Sequence, residues 1–161
     1  MRLVIVNQTK IKINELRLKA LFKKLLFASR QKRLRNKNLL DRKEITLVFL
    51  GSVEMKKINK KYRQKNKATD VLSFSPTAPD SIGEIVFCID VLNKQAAEQK
   101  HSLGHEFLYM LVHGLMHLLK YDHETSKREQ VTMFKLQDKL FVELTEQKIN
   151  LDCFHVTSYR N

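Results

Sequence analysis

The stretch ITLVFLGSVEMKKINKKY, residues 45–62, decides the fold because it joins a buried strand to an amphipathic helix. Residues 45–50 are a β-branched and aromatic run that ends at Gly51, which is typical of a buried strand. Ser52 is suited to cap a helix that continues to about Tyr62. The chain therefore contains a strand and helix unit of the kind from which α/β folds are built.

Further strands and helices are predicted on both sides of this unit. Short apolar runs indicate strands, and apolar residues at helical spacing indicate helices. The predicted strands are 3–6, 71–74 and 82–89. The first predicted helix is 13–34, and a second starts after a cap at Asp90. A third runs from a cap at Ser102 to about residue 119, and a fourth starts at a capping box of Ser126 and Glu129.

Strands and helices alternate in the first half of the chain, and helices dominate the second half. We therefore expect an α/β (α+β) fold with a small mixed sheet of about four strands and helices packed on it. A chain of 161 residues with 43% hydrophobic side chains can build a core without disulfides. We predict a single domain, residues 1–161, in which Cys88 and Cys153 are buried or incidental thiols of a reducing cytosol.

The charge is distributed unevenly along the chain. Residues 1–67 carry 21 basic and 4 acidic side chains, whereas the formal net charge of the whole chain is +13. Such a density is either a solvated surface or a site where a polyanion neutralises the repulsion. The second interpretation predicts a nucleic acid on the basic N-terminal half. The cations crowd two segments, one with Arg30, Lys32, Arg33, Arg35 and Lys37 and one with Lys56, Lys57, Lys60, Lys61, Arg63, Lys65 and Lys67.

The apolar stretches are too short for a membrane span. The most apolar one, residues 107–119, contains two histidines and is shorter than the roughly 20 residues that a span needs. The first ten residues lack the long apolar region of a secretory signal. We therefore expect a soluble cytoplasmic protein without a membrane partner.

Three histidines stand in HGLMHLLKYDH, residues 113–123. His113 and His117 are four residues apart, so a helix presents both imidazoles on one face. His123 follows the predicted helix end, where the chain can turn back and supply a third nitrogen. Three neutral nitrogens leave one position of a tetrahedral zinc ion open to water, whose pKa the ion lowers towards about 7. We therefore predict one Zn²⁺ per chain in a catalytic rather than a structural site.

Other features narrow this interpretation. His101 and His105 are also four residues apart and are either a decoy, a supporting pair for the zinc ligands or solvent-facing, and His155 lies in a polar tail. Zinc peptidases of the H-E-x-x-H type carry a glutamate base where this chain has Gly114, which disfavours a peptidase. Phosphodiester hydrolysis can do without that base, because the metal activates water and a guanidinium can stabilise the phosphoryl charge.

At these residues the sequence resembles the YbeY family of metal-dependent endoribonucleases, whose signature is H-G-x-L-H-L-x-G-Y-D-H. The resemblance extends from about residue 45 to 125 and is most specific in this signature. Three other segments are similar to the family, namely NKKYRQKNKATDVLSF at 59–74, IGEIVFCID at 82–90 and HSLGHE at 101–106.

The resemblance implies a single α/β domain, a zinc ion on the three histidines and an arginine required for activity, which corresponds to Arg63. Taken alone, Arg63 is a solvated cation in a run of lysines. The implied function is cleavage of single-strand-type RNA in ribosomal RNA processing, including 16S 3′ end maturation, and in ribosome quality control. Metal-bound water would attack the phosphodiester, with the small ribosomal subunit and assembly factors as partners. The implied catalytic residues are Arg63, His113, His117 and His123.

Three positions depart from the family pattern. Met116 replaces a leucine of similar volume, and Glu84 replaces an aspartate. Lys120 replaces the glycine that ends the ligand helix, where a left-handed backbone costs other residues about 1 kcal/mol. Either the backbone bears that strain, or the turn differs and His123 lies elsewhere. The sequence leaves the role of Asp70 open.

A second function is compatible with the same residues. A non-catalytic RNA-binding factor of ribosome assembly could use the metal only to stabilise its fold. Such a protein would bind RNA with a steep salt dependence but would not cleave it.

Overall fold

A computed structural model describes residues 1–155 and contains the predicted mixed sheet. Its strands are β1 (Arg2–Asn7), β3 (Glu44–Leu50), β5 (Ser81–Cys88) and β4 (Val71–Phe74), in that spatial order. The first three are parallel, and β4 pairs antiparallel with β5 at one edge. A separate antiparallel pair, β2 (Lys12–Ile13) and β6 (Phe154–His155), was not predicted, because two-residue strands carry no periodic pattern.

Five α-helices accompany the sheet, and each predicted helix is present. No helix within residues 1–155 is long and apolar enough to cross a membrane. The helices are α1 (Glu15–Arg30), α2 (Ser52–Arg63), α3 (Ile89–Glu98), α4 (Leu103–Leu118) and α5 (Lys127–Glu146), with a short 3-10 helix at Lys37–Asp41.

The helix caps are partly as predicted. Ser102 and Ser126 each accept a hydrogen bond from a backbone N–H of the first turn of their helix, which confirms both caps. The predicted capping box is incomplete, because the carboxylate of Glu129 accepts from Arg35 instead. The caps predicted at Ser52 and Asp90 are wrong, because both residues lie inside their helices. The Asp90 carboxylate instead accepts hydrogen bonds from the backbone N–H (2.7 Å) and the hydroxyl (2.9 Å) of Ser52. Asp90 therefore provides a hydrogen-bond acceptor for the first N–H of α2 and connects this helix to α3.

The sheet is covered on both faces, as the alternation of β5 shows. Ile85 and Phe87 belong to the large core formed with α1, α4 and α5. Val86 and Cys88 belong to a smaller core on the opposite face, where Met55 of α2 packs. Cys88 and Cys153 are both buried and free, as the prediction of buried thiols requires. This arrangement confirms the α/β fold.

Helix α4 lies unusually close to the sheet at Gly114. A Cβ atom added there would lie 2.7 Å from Cγ2 of Ile85 and 3.2 Å from Oγ of Ser73. The hydroxyl of Ser73 also donates to the carbonyl of Gly114 at 3.2 Å. A glutamate at this position would point into the sheet, so the packing gives a physical reason why the peptidase base is missing.

We expect Gly114→Ala to lower the free energy of unfolding by about 1–2 kcal/mol, because overpacking outweighs the better helix propensity of alanine. Urea denaturation measures the change. Gln130→Ala is the control, because it places alanine at an exposed site of α5 where nothing is overpacked. An equal loss in both variants would contradict the close approach of α4 to the sheet.

Candidate metal centre

A cleft of about 960 Å³ lies beside the edge strand β4. The end of α2 and the loop after it line one part of the cleft, and β4 lines another. The remaining walls are the C-terminal half of α4, the loop after it and Phe134 of α5. Side chains from separate parts of the chain therefore meet at one end of the molecule.

The predicted histidines meet in this cleft. One nitrogen from each of His113, His117 and His123 lies within 4.8 Å of the other two. The Nε2 atoms of His113 and His117 are 3.1 Å apart. Two nitrogens that bind a tetrahedral zinc ion at about 2.0–2.1 Å are about 3.3–3.4 Å apart. The His113–His117 pair is therefore close to the separation of two zinc ligands, and His123 is near enough for the three histidines together to hold one ion.

The turn after α4 adopts the conformation that glycine would favour. Lys120 has φ +68°, in the left-handed region. The N–H of Lys120 donates to the carbonyl of His117 at 2.9 Å, and the N–H of Tyr121 donates to the carbonyl of Met116 at 3.0 Å. These two bonds form a Schellman motif. The backbone therefore bears the strain, and His123 returns to the other two histidines.

Gln137 orients the first histidine, and the sequence analysis missed it. Its Oε1 lies 2.9 Å from Nδ1 of His113. Because an amide oxygen only accepts, Nδ1 carries the proton and Nε2 keeps its lone pair for an ion. Gln137 is fully buried on α5. Its signal in the sequence is a glutamine on the helix face that otherwise buries Met133, Leu140 and Leu144.

The comparisons with known proteins agree with this geometry. The sequence model of the family "Endoribonuclease YbeY" matches residues 4–145. The chain belongs to the YbeY family. An endoribonuclease YbeY of Bdellovibrio bacteriovorus is 51% identical over 100 residues, which are 62% of this chain and 67% of the relative. One from Petrotoga mobilis is 36% identical over 150 residues, 92% of this chain and 99% of the relative.

A solved structure supports the fold of this YbeY-family chain. The solution structure of a Thermotoga maritima protein superimposes with a TM-score of 0.63 and covers 99% of this chain and 100% of its own. Because only 23% of the residues are identical, this likeness shows the shared fold alone.

Burial keeps two of the histidines neutral. It lowers the pKa of His113 and is also the largest cause that lowers the pKa of His117 to about 4, to which His113 and His123 contribute. The ring of Phe134 stacks beside His123, with centroids 5.4 Å apart and planes at 24°. At neutral pH His113 and His117 of this YbeY-family site are thus in the form that binds a metal.

Arg63 lies in the same cleft, as the family resemblance implies, but it has a partner that the sequence did not predict. It is the last residue of α2, and its Nη2 donates to Oε2 of Glu124 at 2.7 Å. Both side chains are about half exposed, at 44% and 52%, so the ion pair is weak. Glu124 follows His123 directly, which places Arg63 beside the loop of the third histidine.

Three other residues that the sequence left open, Asp70, His101 and His105, make contacts away from the three clustered histidines. Asp70 lines the cleft, but its carboxylate accepts hydrogen bonds from the N–H of Val71 (2.8 Å) and from Nε2 of Gln95 (3.1 Å). His101 and His105 stand at the start of α4 and do not line the cleft. His101 contacts the carboxylate of Glu106 at 3.1 Å. The two histidines therefore do not support the metal ligands directly.

We expect Gln137→Leu to weaken zinc binding by about 10- to 100-fold, because His113 loses the partner that fixes its tautomer and orientation. Competition with a chromophoric chelator measures the affinity. Gln130→Leu makes the same chemical change at an exposed site of α5 and serves as the control. An unchanged affinity in Gln137→Leu would show that His113 needs no such support.

The stability of the metal-free chain should fall as the pH is lowered from about 6.5 to about 4. In the unfolded chain His117 takes up a proton at its ordinary pKa of 6.5, whereas in the folded chain its pKa is lowered to about 4, so it stays neutral over this range. Protons therefore favour unfolding. Urea denaturation with a chelator present measures the slope, which His117→Gln should reduce. An equal slope in wild type and His117→Gln would be inconsistent with a buried neutral imidazole.

Proposed function

We propose that the chain, as one domain of residues 1–161, is a zinc-dependent endoribonuclease that hydrolyses phosphodiesters of single-strand-type ribosomal RNA in the cytoplasm. The observation that carries the proposal is the meeting of three histidine nitrogens within 4.8 Å, in a cleft that Arg63 also lines. The family name supports RNA as the substrate. The resemblance supports 16S 3′ end maturation and ribosome quality control on the small subunit, with assembly factors as partners.

The three histidines would hold one zinc ion. Three imidazole nitrogens are a donor set that zinc accepts in catalytic sites, where one position stays open to water. When bound, the ion supplies an activated water and a Lewis acid for a phosphoryl oxygen. His113, His117 and His123 serve this role through their ring nitrogens, and Gln137 keeps the lone pair of His113 directed at the ion.

Arg63 would bind the phosphate that is cleaved. Its guanidinium can make two parallel hydrogen bonds to phosphoryl oxygens and stabilise charge that develops on them. The existing partner, Glu124, does not prevent this, because an exposed ion pair contributes only about 0–1 kcal/mol. A phosphate can replace the Glu124 carboxylate with a charge-assisted interaction of the same kind.

The basic N-terminal half would bind the flanking RNA. The lysines of α2 precede Arg63 along the helix and are exposed, so they extend the positive charge away from the cleft. Contacts between lysines and phosphates release counterions and favour binding at low salt. The exposed members are Lys56, Lys57, Lys60 and Lys61.

Single-turnover cleavage of a ribosomal RNA fragment tests the proposal. Cleavage should stop with a chelator and with His117→Ala, return when zinc is restored to the wild type, and slow about 100-fold in Arg63→Ala. Lys57→Ala, which removes an exposed cation outside the cleft, should slow it by no more than a few-fold.

Two outcomes would contradict a zinc endoribonuclease. Cleavage that persists in chelator or in His117→Ala would exclude the histidine site as the source of activity. RNA binding without turnover, together with a melting temperature that falls on chelation, would favour the assembly factor with a structural metal. Circular dichroism of His117→Ala separates loss of chemistry from loss of the fold.

A further inference from the structure

Within residues 1–155, three helices are followed, two residues after their last residue, by a lysine with a left-handed backbone. Lys100, Lys120 and Lys148 have φ values of 58°, 68° and 49°. Strain of this kind therefore does not by itself mark a functional residue in this chain. Lys120 differs from the other two because its side chain lines the cleft beside the histidines, where neither Lys100 nor Lys148 is found.

The ammonium group of Lys120 has a neutral partner only. Its Nζ donates to the hydroxyl of Ser75 at 2.7 Å, directly after strand β4. No carboxylate within residues 1–155 forms an ion pair with it. Arg63, in the same cleft, is already paired with Glu124. Lys120 therefore brings an uncompensated positive charge to the cleft.

Two side-chain contacts and two pairs of chain neighbours connect Lys120 with Arg63. Ser75 follows Phe74, whose ring packs against the ring of Tyr62 with centroids 5.1 Å apart. Tyr62 precedes Arg63 in the chain and is 59% exposed. This set of residues, which we call the cleft rim, places one cation at each of its ends.

We propose that Lys120 binds a second phosphate of the RNA strand, next to the phosphate held at Arg63 and the histidines. This inference rests on the proposed function, because it assigns a further contact to the same substrate. An ammonium that exchanges a neutral hydroxyl for a phosphate oxygen gains an acceptor of opposite charge, so both partners of the hydrogen bond are then ionised. The compact charge of lysine suits a backbone contact that is independent of base sequence.

Lys120→Gly tests the contact without disturbing the turn, because glycine accepts a left-handed backbone. Lys100→Gly is a matched control. It removes the same charge from the same kind of helix end, where the N–H of His101 donates to the carbonyl of Ala96 at 3.0 Å. The measurement is fluorescence anisotropy of a single-stranded RNA oligonucleotide over a series of salt concentrations.

We expect Lys120→Gly to weaken RNA binding about three- to tenfold and to reduce the slope of log K against log salt by about 0.7, the value for one phosphate on a single strand. Lys100→Gly should change neither quantity. Lys120→Arg should retain the wild-type affinity, and Lys120→Gln should weaken binding about as much as Lys120→Gly. Zinc content should stay at one equivalent in all four variants, because none of them replaces a ligand.

Equal binding by the two glycine variants, or by Lys120→Arg and Lys120→Gln, would overturn the inference. Single-turnover cleavage provides the second readout, in which Lys120→Gly should raise the half-saturating protein concentration. A lower maximal rate at an unchanged half-saturating concentration would also overturn it. If the wild type binds but does not cleave, the proposed function fails alone, since anisotropy still compares the lysine variants.

Discussion

The candidate site depends on how helix α4 ends. Two backbone hydrogen bonds close the Schellman motif, and the left-handed Lys120 between them reverses the chain within a single turn. Without this reversal the chain would carry His123 away from His113 and His117, and only two histidines would remain close enough to hold a metal ion. The close approach of α4 to the sheet at Gly114 fixes the other two ligands against strand β4. The histidines are therefore positioned by backbone geometry as much as by their own side chains.

The second requirement is that the imidazoles remain neutral in a strongly basic chain. Burial lowers the pKa of His113 and of His117, and each protonated imidazole would repel the others. Gln137 meets the hydrogen-bonding need of His113 without introducing a charge. A carboxylate in its place would increase the basicity of the ligand and add a negative charge beside the path of a polyanion. A neutral amide thus fits a site that faces RNA.

The sequence could predict the parts of this site that depend on local geometry. His113 and His117 follow from helical spacing, and the strands and helices follow from apolar periodicity. The position of His123 depends on the turn after α4. Because Lys120 stands where the family has glycine, the sequence is compatible with two conformations of this turn. Gln137 and the cap of α2 by Asp90 could not be predicted, because α5 and α3 meet their partners only after packing. The same holds for Glu124 beside Arg63, which joins residues that are 61 positions apart.

Two cations of the cleft, Arg63 and Lys120, have only weak or neutral partners and can therefore exchange them for phosphates of a polyanion. An unpaired arginine beside the histidines would repel a bound divalent ion, and the Glu124 carboxylate reduces that repulsion. Because the pair is half exposed, replacing Glu124 with a phosphate costs little, whereas a buried pair would resist separation. Lys120, which has only the hydroxyl of Ser75 as its partner, can attract the strand before Arg63 exchanges its partner. If the proposed function holds, the weak exposed pair and the uncompensated lysine would both be available to phosphates of the substrate.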